Sequence, residues 1–248
     1  QMDYLNWVAS IPEPVYQNAR VEAWWLGALG GPDPAVPTLI HRDQLRQRVA
    51  FALSEIFVIS KVNGAVSGQT RSAAHYYDRL ATHAFGNFRS LLEDVTLHPA
   101  MGHYLSMFKN RKPDLAANIR PDENYAREIL QLFSIGLVEL NPDGTPRLLG
   151  GQPIPTYNQT TVRGFAHVFT GWNWKNCDQG NSWDWQFCEA GPNGSYWQEP
   201  LEPVESRHDT DGPEVDGNGQ RYKQLLNYPG VALPNGRLPA GDNARSDM

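Results

Sequence analysis

A charged cluster at residues 120–136, RPDENYAREILQLFSIG, offers the first side chains that could do chemistry. Helical spacing places its apolar residues on one arc, and Glu123, Arg127 and Glu128 on or beside the complementary arc. Glu123 and Arg127 are four residues apart, which is the spacing of a favourable helical ion pair. The solvated face of an ordinary amphipathic helix explains these charges as well as a functional site does.

Glu128 lies at the edge of the apolar arc, so we expect its carboxylate to be half-buried. Half burial leaves two alternatives. The carboxylate forms a structural ion pair with Arg46 or Arg48 of an upstream helix, or it acts as a general acid or base. Glu128 is therefore a candidate catalytic residue, and the neighbouring Arg127 is a candidate substrate-binding residue.

A second pair with helical spacing is Arg163 and His167, in the segment 158–172, NQTTVRGFAHVFTGW. An arginine and a histidine that face a cleft could hold an anionic or sugar substrate, with His167 as a catalytic group. The alternative is a solvated helix face. No HExxH, GxSxG or P-loop motif occurs, so the common signatures of zinc proteases, serine hydrolases and nucleotide-binding proteins are absent.

Histidine and acidic side chains crowd the glycine-rich segment 208–219, HDTDGPEVDGNG. Calcium prefers flexible, oxygen-rich loops of this kind, so His208, Asp209 and Asp211 are candidate ligands of a divalent metal such as calcium. The spacing is not that of an EF-hand, and a solvated acidic loop is the alternative. His208 is also a candidate catalytic residue.

Several tryptophans and the two cysteines lie close together after the 158–172 segment. Trp172 and Trp174 could stack on a sugar as a substrate-binding platform, or they could form the core of a region with little else that is apolar. Cys177 and Cys188 enclose ten residues, and in an exported protein we expect them to form a disulfide. A simple hairpin of WNW and WDWQF conflicts with that disulfide, and we favour the disulfide.

The elements that must position these side chains are mostly helices. Apolar spacing predicts helices over 43–60, 72–85, 87–97, 99–108, 122–135 and 158–172, with short loops between them. Pro99 suits a first helical turn, and Gly136 suits a C-terminal cap. The 43–60 helix is apolar nearly all round, which predicts a central, buried helix.

After Trp172 the sequence becomes rich in Gly, Pro, Asn, Asp and Trp, without helical periodicity. In WNW (172–174) and WDWQF (183–187), aromatic and polar residues alternate as they do in short strands. Before this region, NPDG (141–144) indicates a turn and LLGGQPIP (148–155) indicates a loop. The sequence therefore predicts a mainly α-helical, multi-helix domain over 1–172. An irregular, Trp/Gly/Pro-rich C-terminal region with a small β element is predicted over 173–248.

Composition limits the classes of function. The chain has 248 residues, of which 21 are basic and 27 acidic, and its net charge is −6. This balance argues against nonspecific nucleic-acid binding, which needs a basic surface. No apolar run approaches the length of a transmembrane helix. The abundance of Trp and Tyr beside few cysteines favours an exported protein, and the abrupt polar C-terminal end suggests a fragment of a longer chain.

Two segments, ENYAREILQLFSIG (123–136) and YNQTTVRGFAHVFTGW (157–172), closely resemble the hallmark motifs of the bacterial family known as domain of unknown function 1800. LRQRVAFALSEIFVIS (45–60) resembles the family's upstream helix, and HD (208–209) with KQLLN (223–227) resembles its downstream block. The resemblance implies an exported bacterial protein, often encoded beside a second exported family related to alkaline phosphatases and sulfatases. It implies no reaction.

Two functional hypotheses follow. The first is an exported binding or assembly protein, located in the periplasm, at the cell surface or outside the cell. Its partner would be a glycan or another exported protein, such as a member of the phosphatase-like neighbour family. The second is an exported hydrolase or transferase with a site near Glu128, Arg163, His167 and His208. The lack of an activated nucleophile or a strong metal-ligand set in the sequence favours the binding role.

Overall fold

Helices built on apolar spacing make up most of the fold. The computed structural model describes residues 2–9, 17–30, 43–60, 62–114, 116–177, 187–204 and 207–209. Its α-helices are α1 (Met2–Val8), α2 (Gln17–Leu29), α3 (Gln44–Ile56), α4 (Thr70–Thr82), α5 (Phe88–Leu97), α6 (Pro99–Tyr104), α7 (Asn124–Gln131) and α8 (Gln159–Val168). A 3₁₀ segment covers Pro192–Gln198. The prediction of a mainly α-helical fold is confirmed.

The helix ends follow local capping chemistry. Asn87 caps α5, because its side-chain oxygen accepts hydrogen bonds from the N–H groups of Arg89 and Ser90. Asn158 caps α8 by accepting from the Thr161 N–H. Gly136 has φ +72 and donates its N–H to the Leu130 carbonyl. Helix α7 nevertheless ends at Gln131 with Leu132 as its C-cap, so the helix predicted to reach residue 135 ends earlier and Gly136 does not directly follow it.

The central helix is α4 and not α3, which corrects the prediction for residues 43–60. Helix α4 contacts α1, α2, α3, α5, α6 and the 3₁₀ segment. It carries small and aromatic residues that are buried, and its Tyr76 hydroxyl donates to the Phe57 carbonyl at 2.8 Å. In α3 only Ala50 is buried among the residues of the helix, whereas Phe51 and Ile56 are each 48% exposed.

An arm over residues 137–156 contains a two-stranded hairpin and two isolated β-bridges, where the sequence predicted only a turn and a loop. Strand β1 (Leu148–Leu149) pairs antiparallel with β2 (Gln152–Pro153), and isolated bridges join Val138 to Pro155 and Leu140 to Pro146. The NPDG turn is present, since Gly144 donates to the Asn141 carbonyl at 2.9 Å. The predicted loop at 148–155 is instead a hairpin, because Gly150 and Gly151 both adopt positive φ at its tip.

The small β element after α8 has a different partner from the predicted one. Strand β3 (Trp172–Asn173) pairs antiparallel with β4 (Glu202–Pro203), about thirty residues along the chain. The WDWQF segment lies outside the described residues except for Phe187. Strand β3, which contains part of WNW, therefore pairs with the distant strand β4 and not in the predicted hairpin.

Two compact units divide the described residues. Unit 1 contains the residues up to Tyr104 together with Ala190–Pro200, and unit 2 contains those from Leu105 to Glu189 and from Leu201 onward. The predicted boundary between residues 172 and 173 lies inside unit 2 and stays a prediction about domains. Helices α7 and α8, the arm and the β3–β4 pair all belong to unit 2.

Candidate functional site

The charged face of α7 and α8 is organised around one carboxylate. Glu123 accepts hydrogen bonds from Arg127 Nη2 at 3.0 Å and from Gln159 Nε2 at 2.7 Å. Arg163 Nε lies 3.8 Å from its other oxygen. The predicted ion pair between Glu123 and Arg127 is confirmed. Both arginines are partly exposed and turned towards Glu123, and their predicted substrate-binding role stays a prediction.

Glu128 is half-buried, as expected from its place at the edge of the apolar arc. Its Oε2 atom is buried and has no hydrogen-bond partner among the described residues. Arg46, one of the two predicted ion-pair partners, donates to Asp43 Oδ1 at 3.3 Å and to the Ala81 carbonyl at 3.1 Å. A buried carboxylate oxygen without a partner is costly, so Glu128 remains a candidate site residue.

His167 does not lie on a solvated helix face. Its side chain and that of Asp209 are 6% and 3% exposed, and His167 Nδ1 is 2.5 Å from Asp209 Oδ2. Because a carboxylate accepts, the Nδ1–H donates, and the carboxylate orients the ring. The predicted Arg163–His167 pair is therefore divided, with Arg163 at the surface and His167 in the interior.

His208 is held by the backbone at the end of α8. Its Nδ1 lies 2.9 Å from the Thr170 carbonyl, which can only accept, so Nδ1 carries the proton. The Thr170 hydroxyl accepts from the Asp209 N–H at 2.9 Å and donates to the His167 carbonyl at 2.7 Å. His167, His208 and Asp209 thus meet within one buried network, and a catalytic role for the two histidines stays a prediction.

Gly171 lets the two segments of this network approach each other. It has φ +79, and a Cβ atom at this position would lie 2.5 Å from the His208 nitrogen and 2.7 Å from its Cα. Neither the conformation nor the distance tolerates a side chain. The Gly–Trp pair that ends the second motif therefore has a structural reason, because glycine permits contact with the His–Asp segment.

Asn110, which the sequence analysis did not single out, ties α7 to the same turn. Its side chain accepts from the Asp122 N–H at 2.7 Å and donates to the Asp122 carbonyl at 3.2 Å. Its own carbonyl accepts from the Gly171 N–H at 2.9 Å. No local pattern marks such a residue, since both of its contacts are long-range.

The predicted metal ligands are only partly described. His208 and Asp209 are engaged as above, and Asp211 lies outside the described residues. Where the structure describes the chain, no group of three or more His, Cys, Asp or Glu side chains has a geometry that could hold a metal ion. A calcium site at these residues therefore stays a prediction.

Three of the described tryptophans lie in the interior. Trp172 is fully buried, Trp174 is 5% exposed, and Trp197 is 9% exposed. Trp174 packs against Phe108 with ring centroids 4.6 Å apart. Trp172 and Trp174 therefore act as core residues, and in this position neither ring offers a face on which a sugar could stack.

The two cysteines form the expected disulfide. Cys177 and Cys188 are bonded, with Cα atoms 5.7 Å apart. The Cys188 carbonyl accepts from Lys109 Nζ at 3.3 Å. The disulfide thus joins Cys177, shortly after β3, to Cys188, as the sequence predicted when it favoured the disulfide over the hairpin.

Comparison with known proteins identifies a family. No curated protein and no solved structure matches the chain. The sequence profile described as "Protein of unknown function (DUF1800)" matches residues 15–218, which include α7, the turn after α8 and the His208–Asp209 segment. Most of the chain is covered, and the matched part contains both motifs of the buried network. The chain belongs to the DUF1800 family of proteins of unknown function.

Proposed function

We propose that the protein is an exported binding or assembly protein that contacts a partner protein through its arm, residues 137–156. The observation that carries this proposal is the exposure of the arm. Every residue from 140 to 153 is exposed, and Leu149 is 77% exposed. Leucine side chains grouped on an exposed hairpin are costly in water, and such surfaces mark sites of interaction.

Backbone hydrogen bonds and an ion pair hold the arm together despite its exposure. Three backbone hydrogen bonds form a closed ring, in which Glu139 donates to Ile154, Ile154 to Arg147, and Arg147 to Glu139, at 2.9, 3.0 and 2.8 Å. Glu139 and Arg147 also form an ion pair. A pre-ordered surface loses little conformational entropy when it binds, which favours affinity.

The side chains of the arm favour a protein partner over a glycan. Large exposed apolar side chains occur at Leu137, Leu140, Leu148 and Leu149. The arm contains no aromatic residue on which a sugar could stack, and its one basic residue, Arg147, is paired with Glu139. Trp172 and Trp174 are buried and offer no platform for a sugar, which also favours a protein partner over a glycan. The partner is thus a protein with an apolar groove.

Export is part of the proposal. The Cys177–Cys188 disulfide supports it, because disulfides persist in oxidising compartments and are rare in the cytosol. Fractionation of the source cells, with alkylation of free thiols before lysis, tests this location. Recovery in the cytosolic fraction with both thiols alkylated would contradict it.

Substitution of the arm tests the function. A Leu148→Ser, Leu149→Ser variant should bind a purified phosphatase-like neighbour protein at least about tenfold more weakly than the unmodified chain in titration calorimetry. The fold should be unaffected, because both side chains are already in solvent. Leu45→Ser is the matched control, since Leu45 is 67% exposed on α3 in unit 1.

Three outcomes would overturn this function. The first is equal affinity of the arm variant and the unmodified chain. The second is that the unmodified chain binds neither the neighbour protein nor a second copy of itself in sedimentation experiments. The third is arm-dependent binding to neutral phosphatidylcholine vesicles, which would assign the arm to a lipid surface.

A further inference from the structure

Unit 1 contains a small pocket, and all of its lining residues belong to that unit. Its volume is about 240 Å³, and its lining residues are His75, Arg79, Asp94, Leu97, His98, Gln198 and Pro200. Drug-sized ligands occupy pockets of roughly 300–1,000 Å³, so this pocket suits a smaller molecule.

The tautomer of His98 is determined by the backbone. The Ala100 N–H donates to His98 Nδ1 at 3.1 Å, so Nδ1 is an acceptor and the proton lies on Nε2. His98 is 4% exposed, and burial holds its pKa well below the ordinary value. His98 is therefore a neutral donor at Nε2.

His98 in turn determines which ring nitrogen of His75 carries the proton. The two atoms His98 Nε2 and His75 Nδ1 are 3.0 Å apart, so the His98 N–H donates and His75 Nδ1 accepts. A proton on His75 Nδ1 would face that N–H and break the contact. Burial and the nearby Arg79 charge also lower the pKa of His75. His75 is thus a neutral imidazole whose Nε2–H, on the ring edge away from His98, serves as a donor.

Arg79 is positioned by one oxygen of Asp94. Its Nε donates to Asp94 Oδ2 at 2.9 Å, its Nη2 donates to the same oxygen, and His83 Nε2 lies 2.6 Å from it. These bonds leave Arg79 Nη1 outside the ion pair. In the described part of the chain, no hydrogen bond joins Asp94 Oδ1 to another group. The pocket wall therefore combines directed N–H donors with a carboxylate acceptor.

We propose that this pocket binds a small hydroxy-carboxylate, either a free organic acid or an acidic sugar unit. The carboxylate accepts from the His75 Nε2–H and from Arg79, and a hydroxyl donates to Asp94. A monoanion fits better than a phosphate dianion, because Asp94 neutralises Arg79. The nearby carboxylates of Asp78 and Glu199 act in the opposite direction to burial and Arg79, because their negative charges raise the pKa of His75.

Titration of the full chain with defined probes tests this site. Sodium glucuronate and sodium lactate should each bind with a Kd of about 1 mM, whereas glucose, which lacks the carboxylate, should not bind. Arg79→Gln should weaken binding at least about tenfold. Arg71→Gln is the matched control on α4, since Arg71 donates instead to Asn6 at 2.7 Å, and it should leave binding unchanged.

A second measurement needs no variant. In ¹⁵N-labelled protein, the His75 imidazole should show a protonated Nε2 and an unprotonated Nδ1, and the Nε2–H resonance should shift when glucuronate or lactate is added. The proposal is overturned if Nδ1 carries the proton, or if neither carboxylate moves the resonance. Tighter binding of inorganic phosphate than of lactate would likewise exclude a carboxylate site.

Discussion

At the scale of single residues, one backbone N–H decides the protonation of two histidines. The Ala100 N–H fixes His98 as an acceptor at Nδ1, and His98 fixes His75. In the sequence, His75 falls within one predicted helix and His98 between two others. Their pairing depends on the packing of α4 against the segment between α5 and α6, so no local pattern could reveal it.

The histidine pair predicts a pH dependence of stability. In the unfolded chain both histidines take up protons around pH 6.5, whereas in the folded chain their lowered pKa values keep them neutral. The unfolded state then binds more protons, so stability is fully present above pH 6.5 and falls as the pH decreases below it. Urea midpoints measured between about pH 7.5 and 5.5 should show this decrease.

Substitution of His98 tests whether the His75–His98 pair causes this pH dependence of stability. His98→Asn removes a titrating group, so its urea midpoint should change less over the same pH range than the midpoint of the unmodified chain. A pH-independent midpoint in the unmodified chain, or one that rises on acidification, would contradict the neutral buried pair.

At the scale of elements, the turn between α8 and β3 depends on Gly171. Gly171→Ala should destabilise the folded state by about 2–4 kcal/mol, because it combines a left-handed φ with a clash against the His208 backbone. Gly144→Ala is the matched control, since Gly144 has φ +83 but open space around its Cβ position. Denaturant unfolding measures both, and equal losses would show that φ alone explains the effect.

The approximate positions of α3 to α8 were predicted from the sequence, whereas α1 and α2 were not predicted and the burial of each helix could not be. The predicted helix over 87–97 corresponds to α5 (Phe88–Leu97), since apolar spacing and a capping asparagine are local signals. The predicted central helix, α3, exposes Phe51 and Ile56, because apolar residues all round a helix show only that it could be buried. Helix α4 takes the centre, since its small residues allow close packing on several sides.

The β elements show the same division. The NPDG turn is encoded locally by Asn141 and Gly144, and it is present as predicted. The partner of β3 is not encoded locally, because β4 lies about thirty residues away and offers only Glu202 and Pro203. Short strands of this kind pair where packing brings them together, so the adjacent WDWQF segment was a poor guide.

At the scale of the whole molecule, the chain leaves unit 1 and returns to it. Residues 190–200 bring Trp197 into unit 1, where its carbonyl accepts from the Ser72 hydroxyl at 2.7 Å and its ring stacks on His103 at 4.5 Å. Unit 1 is therefore completed by a segment nearly ninety residues beyond Tyr104.

None of the helices in the described residues is long and apolar enough to cross a membrane.

This returning segment predicts a large effect at one position. Trp197→Ala should destabilise unit 1 by about 3–5 kcal/mol, because it removes a buried aromatic side chain. Trp25→Ala, in the same unit but 50% exposed, should cost less than half as much. Guanidinium unfolding followed by far-ultraviolet circular dichroism compares them, and similar losses would contradict the role of Trp197.

The sequence by itself determined the approximate positions of α3 to α8, the disulfide and the family, because each depends on residues near one another or on a continuous motif. Only the tertiary structure decided that His167 meets Asp209, forty-two residues away, and that Trp172 is buried. It also revealed the exposed arm and the His75–His98 pair. Spacing along a helix tells which residues share a face, but burial of that face depends on which distant segments pack against it.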